Sequence, residues 1–184
     1  MLHHVDGSHA ERRGFSLVEL MIVLTIMMVA MSMFAHTMTS AARLDPAASE
    51  TAIAAEAART MLERMRKYPF VERFTRYNDD PTDDPDGNGT APGNHFNVPD
   101  LNPPPGSRFV GEITFPSVGT AIREDVTDAA LGMPRDLNGD GVVDSSDHTH
   151  DCVILPVRVQ LTWASQTGKG GTRTFTMYTM FANQ

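Results

Sequence analysis

Residues 15–35 form one apolar run, interrupted only by Ser16, Glu19, Thr25 and Ser32. As a helix rising ~1.5 Å per residue, about 21 residues span about 31 Å, the thickness of a bilayer's hydrocarbon core. Helix-compatible residues follow until Asp45-Pro46, which predicts a bend. A proline inside a helix kinks it, and a proline after an Asp cap opens a new one. From 47 to 67 the chain is rich in Ala, Glu, Arg and Met, all good helix formers. Ala54, Ala58, Met61, Leu62 and Met65 recur at helical spacing, while Glu56, Arg59, Glu63, Arg66 and Lys67 mostly fall elsewhere. This predicts an amphipathic helix lying against a sheet and ending at Tyr68-Pro69.

The second half of the chain changes period. Residues 108–118 (RFVGEITFPSV) read as the first strand, with Phe109, Ile113 and Phe115 inward. Residues 119–135 read as a helical turn and a connection. In 153–163, Val153, Leu155, Val157, Val159, Leu161 and Trp163 alternate with Pro156, Arg158, Gln160 and Thr162, the period of a half-buried strand. A Gly-rich turn follows, and residues 172–182 return with Phe175, Met177 and Phe181 inward. The predicted fold is α+β, a long N-terminal helix packed on a small antiparallel sheet. Residues 78–107 hold seven prolines and read as one long loop, a connection of a length that is usually functional or disordered.

Charge adds direction to the apolar run. Arg12 and Arg13 precede it, so that end is expected to stay cytoplasmic while the rest of the chain is exported. Of the chain's net charge of −8, the charges of Asp6, Glu11, Arg12 and Arg13 cancel and Glu19 takes one, leaving −7 on residues 41–184. An acidic exported domain argues against nucleic acid as the main partner. The single cysteine, Cys152, rules out an intrachain disulfide and reads as a buried residue. Glu19 is the anomaly, because a carboxylate within a membrane segment costs roughly 2.5–3.5 kcal/mol and marks function. A cut between Gly14 and Phe15 would create an α-amine four residues before Glu19, and that amine and the carboxylate could neutralise each other.

Arg12-Arg13-Gly14-Phe15-Ser16-Leu17-Val18-Glu19-Leu20 resembles the cleavage and methylation signal of the type IV prepilin superfamily, which includes pilus subunits, minor pilins and type II secretion pseudopilins. The resemblance covers about 25 residues. It implies that prepilin peptidase cuts after Gly14 and methylates Phe15, and that Glu19 pairs with the Phe15 amine of an adjacent subunit. It also implies a pilin-like fold, residence in the inner membrane and partnership with other subunits. The last two strands resemble the C-terminal hairpin of minor pilins and pseudopilins.

A second motif spans residues 136–147 and fits a twelve-residue calcium loop, with an Asx/Gly turn without metal as the alternative. Calcium takes six to eight oxygens. Asp136, Asn138 and Asp140 would supply positions 1, 3 and 5, the Val142 carbonyl position 7, Asp144 position 9 and Asp147 position 12, with Gly141 permitting the turn. The loop resembles a dockerin repeat more than an EF-hand, which ends in Glu. No apolar helix follows it, so a cohesin-binding surface is not expected. A weaker half-motif lies at Asp84, Asp86 and Asn88, where Pro92 and His95 spoil the second half. His148, His150 and Cys152 alternate and would share a strand face, open either to a transition metal or to plain loop polarity.

The expectation is therefore a non-enzymatic structural subunit of a type IV filament. It has a leader (1–14), a transmembrane and filament-core helix (15–38) and an exported head (39–184) that ends up in a periplasmic pseudopilus or surface pilus. Loop 78–107 and the last hairpin point to a minor subunit. The competing class is a membrane-tethered calcium-dependent adhesin, with loop 78–107 as its binding surface. The sequence carries no nucleophile elbow, P-loop or HExxH motif.

Overall fold

The computed structural model describes residues 16–165 and 171–183, with side chains at all of these except 40–47. The chain divides into two compact units, with the boundary between Leu44 and Asp45. A single helix, α1 (Leu17–Arg66), starts in the first and ends in the second. The interruption expected at Asp45-Pro46 does not break it. Pro46 removes one backbone donor, and good helix formers on both sides carry the helix across.

In the first unit, Leu17–Thr39 is apolar and long enough to cross a membrane, and its side chains are exposed among the described residues. Its threonines return their hydroxyls to the helix's own backbone. Thr25 Oγ1 donates to the Met21 carbonyl at 2.7 Å, Thr37 to Met33 at 2.7 Å and Thr39 to Ala35 at 3.0 Å. A hydroxyl satisfied this way needs no outside partner in an apolar medium.

In the second unit the remainder of α1 contributes Ala54, Ala58, Met61, Leu62 and Met65 to the core, the stripe read from spacing. It faces a four-stranded antiparallel sheet of order β1-β2-β5-β6, made of β1 (His95–Phe96), β2 (Gly111–Thr114), β5 (Ile154–Ala164) and β6 (Thr172–Ala182). A separate small hairpin joins β3 (Ser117–Val118) to β4 (Ala121–Ile122). Leu155, Val157, Val159, Leu161 and Trp163 of β5 are buried as their alternation predicts, and Phe181, opposite Leu155 in the register, joins them. Phe175 and Met177 are half-buried.

Three strand readings change. The first strand is β1, within the expected loop, because Val98 and Leu101 bring that segment into the core. Phe109 is 42% exposed rather than inward. It precedes β2 and meets the His95 ring at 5.1 Å, while Ile113 and Phe115 are buried as expected. Val153 lies one residue before β5 and is exposed, its amide bonded to the Leu137 carbonyl.

Segment 78–107 is pinned to the domain. Arg76, on the short helix α2 (Arg73–Tyr77), pairs with Glu72 and Asp86, and its guanidinium stacks 4.5 Å from the Tyr68 ring centroid. Asn78 donates to Asp83 at 2.7 Å, and Asn102 bridges to Ala164.

Candidate functional site

The segment between β4 and β5 contains the loop at 136–147. Its acidic side chains turn inward on their own backbone. Asp136 accepts the amides of Gly139 at 2.6 Å and Gly141 at 2.8 Å. Asn138 Oδ1 accepts from the Asp140 amide, and Asp140 Oδ1 from the Val142 amide. Gly139 and Gly141 both sit at φ 85°, in the left-handed region that favours glycine. This ladder of Asx turns is what Asp, Asn and Gly at alternate positions encode. The amides of Gly139 and Gly141 hold the Asp136 carboxyl below the usual carboxylate range. Asp144 is likewise lowered, chiefly by the amide and hydroxyl of Ser146 and by His148. Asp147 accepts from the amide and hydroxyl of Thr149 at 2.9 and 2.6 Å.

A residue outside the motif organises the loop. Glu124 is 0% exposed. Its Oε1 accepts from the amides of Leu137 at 2.6 Å and Asn138 at 3.2 Å, and its Oε2 from the Asp144 amide at 3.3 Å. Beside it lies His148, 4% exposed, with Nε2 3.2 Å from Asp144 Oδ1 and 3.8 Å from Glu124 Oε2. The Asp151 carboxylate lies 3.1 and 3.3 Å from His148 Nδ1. Burial alone would lower the His148 pKa, but hydrogen bonds to the Asp144 and Asp151 carboxylates and the Glu124 charge outweigh it and hold the pKa above the ordinary value. One ligand atom each from Glu124, Asp144 and His148 lie within 4.8 Å of one another, so this group could hold a metal ion.

This group overlaps the motif only in part. Of the residues read from the motif, Asp144 joins the cluster. Asp136 and Asn138, half-buried, and the exposed Asp140 form the turn ladder beside it, and Val142 is exposed on the same loop. Glu124 stands 12 residues before the motif and was missed, because no loop spacing reaches that far. Residues 148–152 form a turn rather than a strand, so His148, His150 and Cys152 do not share a strand face. His150 is exposed and Cys152 is buried, and burial pushes the Cys152 thiol up to about 11, away from the thiolate a metal needs. At the half-motif, Asp84 accepts the Ala91 amide and Asp86 is committed to Arg76 at 2.6 Å.

At the other end, Gly14 and Phe15 lie outside the described residues. Glu19 sits in the first turn of α1, exposed, and the Leu20 amide donates to the Ser16 carbonyl at 3.1 Å. Residues 10–35 match a family model described as the prokaryotic N-terminal methylation motif. No curated protein and no solved structure matches the chain. The match supports a type IV prepilin-like protein, and the long apolar helix followed by a small antiparallel sheet is consistent with a pilin-like fold. The motif implies a pilin-like precursor processed by prepilin peptidase and points to a structural subunit. The apolar helix Leu17–Thr39 and the motif fit anchoring in the inner membrane.

Proposed function

We propose that the protein is a structural subunit of a type IV filament, a minor pilin or pseudopilin. The carrying observation is the methylation motif at 10–35, set on a helix whose apolar side chains are exposed among the described residues. Such a surface needs lipid or neighbouring helices. In this reading the leader 1–14 is cut after Gly14, Phe15 is N-methylated, and 15–38 moves from bilayer to filament core while the head, 39–184, faces outward. Glu19 neutralises the Phe15 amine of a neighbour and so sets axial register. The protein then resides in a periplasmic pseudopilus or a surface pilus.

Intact-mass and N-terminal analysis of protein from sheared filaments and from membranes tests the reading. N-methylated Phe15 is the expected N-terminus, and an intact leader in every fraction would overturn the proposal. Its abundance in sheared filaments separates a minor from a principal subunit. Glu19→Ala is expected to be processed at nearly the wild-type rate and to incorporate into filaments far less. Normal incorporation would remove the register role.

The head, in the same reading, is a disulfide-free domain closed by a cation on the 136–147 loop. Calcium is the ion its oxygens suit, through Asp136, Asn138, Asp140, Val142, Asp144 and Asp147. Asp140→Ala is expected to lower the Tm only when calcium is present. Equal melting of the wild type in calcium and in chelator would exclude the clamp.

A further inference from the structure

We propose that Glu124, Asp144 and His148 form a binding site for a divalent transition metal of the zinc class, with Asp151 orienting the histidine. The inference rests on the reading of the head as a cation-stabilised domain and names a different ion and a different donor set. The site shares Asp144 with the calcium loop and is otherwise built from residues that the loop spacing does not contain.

The donor chemistry selects the ion. Calcium takes only hard oxygens, whereas a buried imidazole suits zinc and its neighbours. In a tetrahedral shell with bonds of about 2.0–2.1 Å, donor atoms stand about 3.3 Å apart. His148 Nε2 lies 3.2 Å from Asp144 Oδ1 and 3.8 Å from Glu124 Oε2, on either side of that value.

The far side of the ring carries an independent sign. Both oxygens of Asp151 address Nδ1, the carboxylate–histidine arrangement that fixes the tautomer of metal-binding imidazoles. With Nδ1–H donating to Asp151, Nε2 faces two carboxylate oxygens, whose charge either a proton on Nε2 or a metal ion between them can offset. A proton there offsets one negative charge; a divalent ion offsets both Glu124 and Asp144 and leaves the imidazole neutral. Arg123, beside Glu124 in the chain, is committed to Asp125, and Arg135, whose amide donates to the Glu124 carbonyl, turns its guanidinium to Met180 Sδ. Glu124 and His148 are buried and preorganised, whereas Asp144 is only half-buried and opens the site to an entering ion and a water ligand.

The test uses the full-length protein in detergent, stripped with chelator and titrated with Co²⁺ as a spectroscopic stand-in for zinc. The expected result is one equivalent of Co²⁺ with visible ligand-field bands, displaced by Zn²⁺ and retained in excess Ca²⁺. His148→Gln should weaken Co²⁺ by at least about 100-fold and Asp151→Asn by about 10–100-fold. His150→Gln should leave it unchanged. If His148→Gln fails to fold, as judged by the emission of the sole tryptophan, Trp163, then Asp151→Asn, which keeps all three donors, carries the test. Unchanged Co²⁺ affinity in the folded His148→Gln protein, or in Asp151→Asn where His148→Gln does not fold, would overturn the site. Calcium binding without Co²⁺ uptake would overturn it and leave the calcium clamp standing; uptake of neither ion would remove both.

Discussion

Replacing Glu124 by alanine is expected to lower the Tm of the head by about 10 °C, in chelator as well as in metal. The carboxylate is fully buried and accepts the amides of Leu137, Asn138 and Asp144, which tie the two ends of the 136–147 loop to one point. Without it, those donors lose their acceptor beneath a buried Leu137. A buried donor left unpaired costs roughly 1–3 kcal/mol, and a broken buried ionic network roughly 3–5 kcal/mol. For a domain of this size each kcal/mol moves the Tm by about 2–4 °C. Glu124→Gln keeps one acceptor oxygen and should recover part of the loss. Emission of the buried Trp163 during a thermal scan reads the transition. A shift below about 3 °C for the alanine variant would show that the loop holds itself together without Glu124.

Glu50→Ala is the second large effect, expected to destabilise the head by about 2–3 kcal/mol. Glu50 is buried on α1, where its Oε2 accepts the Trp163 indole N–H at 3.0 Å and the Ser165 hydroxyl at 3.1 Å. The contact joins the helix to the last turn of β5 across more than a hundred residues. Removing the acceptor leaves an indole donor buried at 1% exposure with nothing in its place. Glu50→Gln retains an acceptor oxygen and should keep most of the stability. The pair is compared by urea unfolding of the full chain in detergent. Equal losses in Gln and Ala would mean that the charge, rather than the hydrogen bond to Trp163, is what matters.

Glu50 and Glu124 also mark the limit of what periodicity reveals. The helical stripe from Ala54 to Met65 and the odd-numbered residues of β5 were legible, because each repeats within a few residues and burial follows the repeat. Phe109 and Val153 were misplaced by the same rule, since their strands begin one or two residues later than the apolar pattern does. Glu50, four residues before Ala54, lies on the face of the buried stripe, unlike the exposed Glu56 and Glu63, but a count of apolar positions passes over a carboxylate. Glu124 likewise stands beside Asp125 in an irregular stretch with no period to read.

The chain alone determined the prepilin-like N-terminus, since a basic pair, Gly14, Phe15, Glu19 and an apolar helix lie within one short window. It also determined the α+β class and the turn ladder of 136–147, where Asp, Asn and Gly act on their own neighbours. Which carboxylates meet was decided only by the tertiary structure. Glu124 and His148 lie 24 positions apart, and each looks like a surface residue until the packing between β4 and β5 buries both against Asp144. Buried charge is tolerated only where partners converge, and convergence is a property of the folded chain, not of spacing along it.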